Sequence, residues 1–342
     1  MKDQSDETFT LAAIQAAPVW GDTGASLEKA CAWIERAGTA NTDLAVFGEV
    51  WLPGYPFFHR KLNTPAAFDA AANYIASAVE VPGPATDRLC QAARQADTDV
   101  IIGVLERDLS GGSVYATALL IGREGQLLGR HRKLKPTFYE RTVWAEGDAS
   151  GLVVHPRPYA RVSMLSCWEH QMVLPGYALM AQGVQVHAAL NPGWEPNQAP
   201  PTPIWPRQLL LSRAFAAQGA CYVVTAGGLV RPQDIPEPYR DLLTVSYTGD
   251  SAIIGPTGEV LATAPSGEEM LLTARASLQD VRIAKLACDV AGHYSRPDLF
   301  TLEVNRRPSS RVRAVPFNDR VESSPSNGDL PPVNQDTLEQ SQ

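Results

Sequence analysis

The chain has 342 residues, 44% of them hydrophobic, with 37 acidic against 29 basic side chains and a net charge of -8. That length buries a substantial core without metal or disulfide staples, as one large domain or two. The charges are interspersed and leave no basic footprint for nucleic acid, and no apolar run approaches the ~18 residues of a membrane span.

In chain order, the opening MKDQSDETFT lacks the cationic and apolar regions of a secretory signal. Residues 9–14 read as a strand and 24–39 as a helix. In TDLAVFGEVWLPGYPFF, the apolar run within 43–47 predicts an interior strand, with Glu49 just past its C-terminal end. Helices are predicted over 66–78 and 86–97, then strands over 99–105 and 116–121. The segment ALLIGREGQLLG reads as a hairpin turning at Arg123-Glu124-Gly125. GRHRKLKPTFYERTVWAEGDAS follows, with Lys133 and Glu140 seven positions apart.

The run over 161–166 is apolar and β-branched and stops abruptly at Cys167, where a helix-like pattern over 174–182 soon begins. A strand that ends on a sharp turn is a good place for a nucleophilic thiol. The remaining elements are strands over 184–190, 221–226 and 250–254, a helix over 205–218, and a hairpin turning at Pro256-Thr257-Gly258. Strands alternate with Ala-rich helices, so the fold class is α/β in layers, and no internal linker interrupts it.

Each of the three residues has a plain alternative. Cys167 reads equally as a buried apolar filler, Glu49 as a solvated strand end, and Lys133 as one charge of a basic surface cluster. Taken together they supply a nucleophile, a proton acceptor and a fixed cation.

Those segments carry a resemblance. FGEVWLPGYP, RKLKPTFYER and SCWEH, in this order, resemble the Glu, Lys and Cys motifs of the nitrilase superfamily, and AGHYSRPDLF is similar to a signature of its true-nitrilase branch. The resemblance covers about residues 8–304, read as one domain, and four motifs in order are far more specific than any one. It implies an αββα sandwich that becomes four-layered on dimerisation. It implies Glu49 as general base, Lys133 as oxyanion-stabilising cation, Cys167 as nucleophile and Glu140 as a second, positioning acid. The implied reaction converts an organic nitrile, aliphatic or arylaliphatic, to acid and ammonia through a thioimidate and a thioester, with an amide by-product where sulfur leaves instead of ammonia. An amidase, a carbamoylase or a cyanide-hydrolysing enzyme would use the same residues, whereas a non-catalytic assembly protein would be expected to have lost one of them.

Four positions depart from the branch pattern. Gly48 replaces a proline and is expected to loosen the backbone at Glu49. Ala145 and Ala149 replace glycines and would be strained at positive φ. Val173 replaces a proline. For the substrate, Trp168, Trp194 and Tyr55 are the candidate pocket residues, with Trp51 and Trp144 also beside motifs.

Five cysteines, odd in number and widely spaced, argue against a disulfide framework and for a reducing, cytoplasmic setting, with Cys31, Cys90, Cys221 and Cys288 read as structural. The six histidines show no HxH or HExxH spacing, so neither metal nor cofactor is expected. His170 stands three residues after Cys167, but that spacing need not aim its ring at the sulfur. Residues 305–342, rich in Pro, Ser and Asn, read as a disordered tail. The resemblance implies a homo-oligomer built from dimers. Two segments, His59-Asn73 and Val230-Leu243, look inserted, and Leu62, Phe68, Ile235 and Leu242 within them are expected to add contacts leading to a spiral or filament.

Overall fold

The computed structural model describes residues 7–109, 111–196 and 204–309, side chains 204 and 205 aside. Its elements are β1 (Thr8–Gln15), α1 (Thr23–Thr39), β2 (Leu44–Val46), α2 (Pro65–Ala76), α3 (Pro84–Ala96), β3 (Asp99–Arg107), β4 (Val114–Gly122) and β5 (Gln126–Arg132). After these come β6 (His155–Pro156), β7 (Arg161–Ser166), α4 (Val173–Met180), β8 (Val186–Asn191), α5 (Ile204–Gly219) and β9 (Tyr222–Gly227). The chain continues through β10 (Leu229–Val230), β11 (Tyr247–Thr248), β12 (Ala252–Ile254), β13 (Val260–Thr263), β14 (Met270–Ser277) and α6 (Leu278–Ala287).

Two six-stranded mixed sheets form, ordered β14-β1-β2-β3-β4-β5 and β13-β12-β9-β8-β7-β6. Period-2 alternation explains why they stack. On β1, Phe9, Leu11 and Ala13 face inward and meet Val162 and Met164 of β7, Val186 and Ala188 of β8, and Val224 of β9. The opposite faces take helices. Ile14, Ala45, Val100 and Leu119 pack under Trp33 and Ile34 of α1 and Leu89 of α3. Leu165, Ala189 and Val223 pack under Leu179 of α4 and Phe215 of α5. The result is the expected αββα sandwich. The described residues up to Pro308 form one compact unit. Of the segment 305–342, residues 305–309 are exposed coil and 310–342 lie outside the described residues.

The helices begin where their caps dictate. Asp22 accepts from Ala25 N–H at the start of α1, and Thr64 caps α2 ahead of Pro65. No helix among the described residues is long and apolar enough to cross a membrane.

Two sequence expectations are corrected here. Gly48 does not loosen its surroundings, because a Cβ there would stand 2.9 Å from Gly228 N and 3.0 Å from Asn191 O, so only glycine fits so close a backbone contact. Neither Ala145 nor Ala149 adopts a positive φ, so neither is strained. The two segments read as inserted, His59-Asn73 and Val230-Leu243, spend much of their apolar surface within the chain. Ile235 and Leu242 are buried with Trp20, Phe57, Phe58 and Tyr74, and Leu62 packs against the same cluster; Phe68 alone of the four residues stays exposed.

Candidate active site

Strand ends from both sheets deliver the site. β2 runs on through Phe47, whose N–H donates to Ile101 O at 2.8 Å, and Glu49 is held by its own N–H donating to Asn191 O at 3.1 Å across the sheet interface. Behind it, a Cβ on Gly103 would sit 2.3 Å from Val50 N, so β3 must carry glycine there for the Glu49 backbone to lie flat on it. Lys133 follows β5, with its N–H on Ala116 O at 2.8 Å. Cys167 follows β7 at the start of a 3-10 turn, Cys167–Gln171, with φ +51. Val50 at +42 and Phe138 at +48 share this rare left-handed conformation. For a β-branched residue such as Val50 it is a genuine strain, and strained backbone collects where geometry is dictated by function.

The side chains converge in the interior. Lys133 Nζ donates to Glu49 Oε1 at 2.7 Å and to Glu140 Oε2 at 2.6 Å. Glu140 also accepts from Tyr55 O–H at 2.7 Å and from Thr137 N–H at 2.7 Å, which anchors it in the turn after Lys133. The nearest ligand atoms of Glu49, Glu140 and Cys167 lie within 4.8 Å of one another. Such a trio could hold a cation, and the Lys133 ammonium supplies one between its two carboxylates. Trp144 covers that ammonium, its ring centroid 5.3 Å from Nζ.

Two carboxyls and one ammonium crowd the space beside the thiol. Burial pushes Glu49 up to about 8, with Glu140 adding to the rise and Lys133 opposing it. Burial also holds the Cys167 thiol well above its ordinary value, and the Glu49 charge adds to that, against the pull of Lys133. Both groups are therefore held toward their protonated forms, and once Glu49 ionises it stands ready to take the thiol proton as an electrophile arrives. Glu49 Oε2 is buried and without a hydrogen-bond partner among the described residues, a lone pair open to that proton.

A small cavity of about 70 Å³ opens onto Cys167 and is lined by Tyr55, His59, Glu140, Trp168, Glu195 and Gln208 among others. Tyr55 and Trp168 therefore border the cavity at Cys167. Trp194 does not, although its neighbours Gly193 and Glu195 line the cavity. Trp51 is core, donating to Ala16 O at 2.8 Å. Burial lowers His59 to about 4 and keeps its ring neutral. A larger groove of about 590 Å³ between α1 and α3 includes Cys31 and none of the clustered residues.

His170 turns away from the sulfur. Its Nδ1 lies 2.7 Å from Cys167 O and its Nε2 2.9 Å from His187 Nε2, so it braces the backbone of the turn. The AGHYSRPDLF segment also stays outside, with Tyr294 and Phe300 exposed and Arg296 paired to Asp298. Lys135 pairs with Glu146, and Arg141 donates to Pro136 O, so neither competes for Glu140.

Two residues went unread in the sequence. Glu169 accepts from Ser166 N–H at 2.7 Å and from Leu134 N–H at 2.8 Å, and meets His131 at 3.0 Å. Gln208 of α5 donates to Cys167 Sγ at 3.0 Å. Glu169 was visible inside SCWEH as a polar residue on a buried turn; nothing in a single sequence marks Gln208. All five cysteines are free.

A buried thiol set between carboxylates and an ammonium, on an αββα frame, defines a hydrolase that works through a covalent thiol adduct. The chain belongs to the carbon-nitrogen hydrolase family, whose model matches residues 10–285. It is 50% identical over 305 residues to "Nitrilase 2" of an unknown prokaryotic organism, covering 89% of this chain and 94% of that one. It is 39% identical over 319 residues to an aliphatic nitrilase of Rhodococcus rhodochrous, covering 90% and 86%. Among solved structures, Saccharomyces cerevisiae Nit3, a member of branch 10 of the nitrilase superfamily, superposes with a TM-score of 0.66 at 19% identity, over 84% of this chain and 97% of that one.

Proposed function

We propose that this protein is a nitrilase, hydrolysing an aliphatic or arylaliphatic nitrile to the carboxylic acid and ammonia. The observation that carries the reading is the buried contact of Lys133 with both Glu49 and Glu140 beside Cys167. Similarity to named nitrilases supports the nitrile as substrate.

In this reading the residues divide the work. Glu49 takes the Cys167 proton as sulfur attacks the nitrile carbon, then returns it to nitrogen, giving a thioimidate. Lys133 faces the negative charge that develops on nitrogen, and later on oxygen, from a site where water is scarce. Glu140 holds Lys133 and Tyr55 in place. Water adds, ammonia leaves to give a thioester, and a second water releases the acid. Tyr55 and Trp168 wall the substrate. Ammonia release across a panel of nitriles and their amides, with acids and amides quantified, tests this; turnover of amides alone would replace the nitrilase by an amidase.

The catalytic domain is taken as residues 8–304, in a chain whose five unpaired cysteines suit the reducing cytoplasm. Association into dimers and larger species is supported by Val173, Leu174 and Leu210, exposed apolar residues on α4 and α5. Light scattering would detect it, and a fully active monomer at micromolar concentration would refute it.

A further inference from the structure

Gln208 is a buried carboxamide that shares the reaction cavity with Cys167, Glu140 and Tyr55. Its two ends are unequal. The Nε2–H donates to Cys167 Sγ at 3.0 Å, while Oε1 is buried and accepts no hydrogen bond from any described residue. A buried carbonyl without a donor is costly and calls for a partner. The reaction itself brings one, because every nitrogen-bearing intermediate on Cys167 carries an N–H.

Resting on the nitrilase reading above, we propose that Gln208 is a catalytic residue that selects the product, opening a route to the amide beside the route to the acid. Both routes leave from the tetrahedral adduct formed when water adds to the thioimidate, a carbon bearing hydroxyl, amino group and the Cys167 sulfur. On the acid route the C–N bond breaks and its electron pair leaves with nitrogen. The hydroxyl proton passes to the Glu49 carboxylate as C=O forms and on from Glu49 to nitrogen, so ammonia and a thioester result and Glu49 ends as a carboxylate. On the amide route the C–S bond breaks and its pair goes to Sγ, while the hydroxyl proton passes to the Glu49 carboxylate as C=O forms. The products are the amide and a thiolate, which regains its proton from Glu49.

The two routes differ in which atom receives the electron pair. On the amide route it is the atom that already accepts the Gln208 N–H, and a hydrogen bond to a charged acceptor is stronger than one to a neutral acceptor. The same side chain presents Oε1 as the acceptor for the amino group, which then stays on carbon. Gln208 thus stabilises sulfur as the leaving group and retains nitrogen.

The test uses the full chain and the same nitrile panel, with amide and acid measured separately for wild type, Gln208→Met and Gln208→Leu. Both substitutions keep bulk and remove donor and acceptor, so either one serves if the other fails to fold. The wild type is expected to form measurable amide, and the amide-to-acid ratio to fall about tenfold or more in the variants, as loss of one hydrogen bond to a charged group implies. Alkylation of Cys167 by iodoacetamide at fixed pH should slow in parallel. A packing role would lower the overall rate and leave the ratio alone. Variants with the wild-type ratio, or a wild type that forms acid only, overturn the proposal. Failure of the nitrilase reading looks different: the wild type would release neither ammonia, acid nor amide from any nitrile.

Discussion

The Leu134 N–H donates to the Glu169 carboxylate at 2.8 Å. That bond ties the segment carrying Lys133 to the turn carrying Cys167, because the same carboxylate accepts from Ser166 N–H at 2.7 Å. Glu169 therefore sets the spacing between cation and nucleophile without touching either side chain.

Glu169→Ala should cost about 3 kcal/mol or more, since it strands two backbone donors and His131 in the interior. The pH dependence has a definite sign. Burial raises the Glu169 value, but His131 and the Leu134 and Ser166 N–H groups outweigh it and leave the carboxyl below its ordinary range. Its contribution is thus present above the ordinary carboxylate pKa and lost as pH falls through the folded-state value. Urea denaturation of both proteins should show the gap closing on acidification; a gap constant with pH would contradict this.

Cys167→Ala should abolish turnover and leave the fold intact, as removing the nucleophile deletes the covalent route. Residual activity above roughly one per cent would mean that another group attacks. Cys31→Ala, in the groove between α1 and α3, should keep the chemistry.

Lys133→Arg keeps the charge but replaces a compact ammonium fitted between two carboxylates, at 2.7 Å and 2.6 Å, with a planar fork. Turnover should fall about 100-fold or more. Near-normal rates would remove Lys133 from the chemistry.

Glu140→Gln should lower turnover severely and also reduce the melting temperature. The amide retains one acceptor oxygen, whereas Glu140 now meets three donors, from Tyr55, Lys133 and Thr137. A variant as active as the wild type would reduce Glu140 to packing.

Burial carries Glu49 to about 8, so its ionised form gains ground only as pH rises through that value. The general-base reading then requires kcat/KM to climb on the alkaline side of neutrality. For stability the sign is opposite: a raised carboxyl contributes fully below its ordinary range, and the contribution is lost as pH rises through about 8. A kcat/KM profile flat from pH 6 to about 9 would exclude Glu49 as the base that must ionise.

Much of this was legible in the chain. Every strand predicted from short apolar runs is present, because buried strands in this sandwich are apolar on both faces: β3 is buried along Asp99–Leu105 and β8 throughout. β14 and α6 were missed for the converse reason. β14 is only partly buried, and α6 buries Val281 alone, so neither shows a clean period. The clustered residues were found because strand ends carry them. Gln208 was not, since its role depends on how α5 packs over the second sheet. Gly48 was misjudged because the surface it presses on, Asn191 and Gly228, lies far along the chain.

The reacting groups arrive from different sheets: Glu49 and Lys133 from the ends of β2 and β5, Cys167 from the end of β7. A chain that has formed only its first sheet owns base and cation but no nucleophile in reach. One that has formed only the second owns a sulfur with no carboxylate beside it to take its proton. Reactivity thus needs both sheets docked, since either one alone holds only part of the machinery.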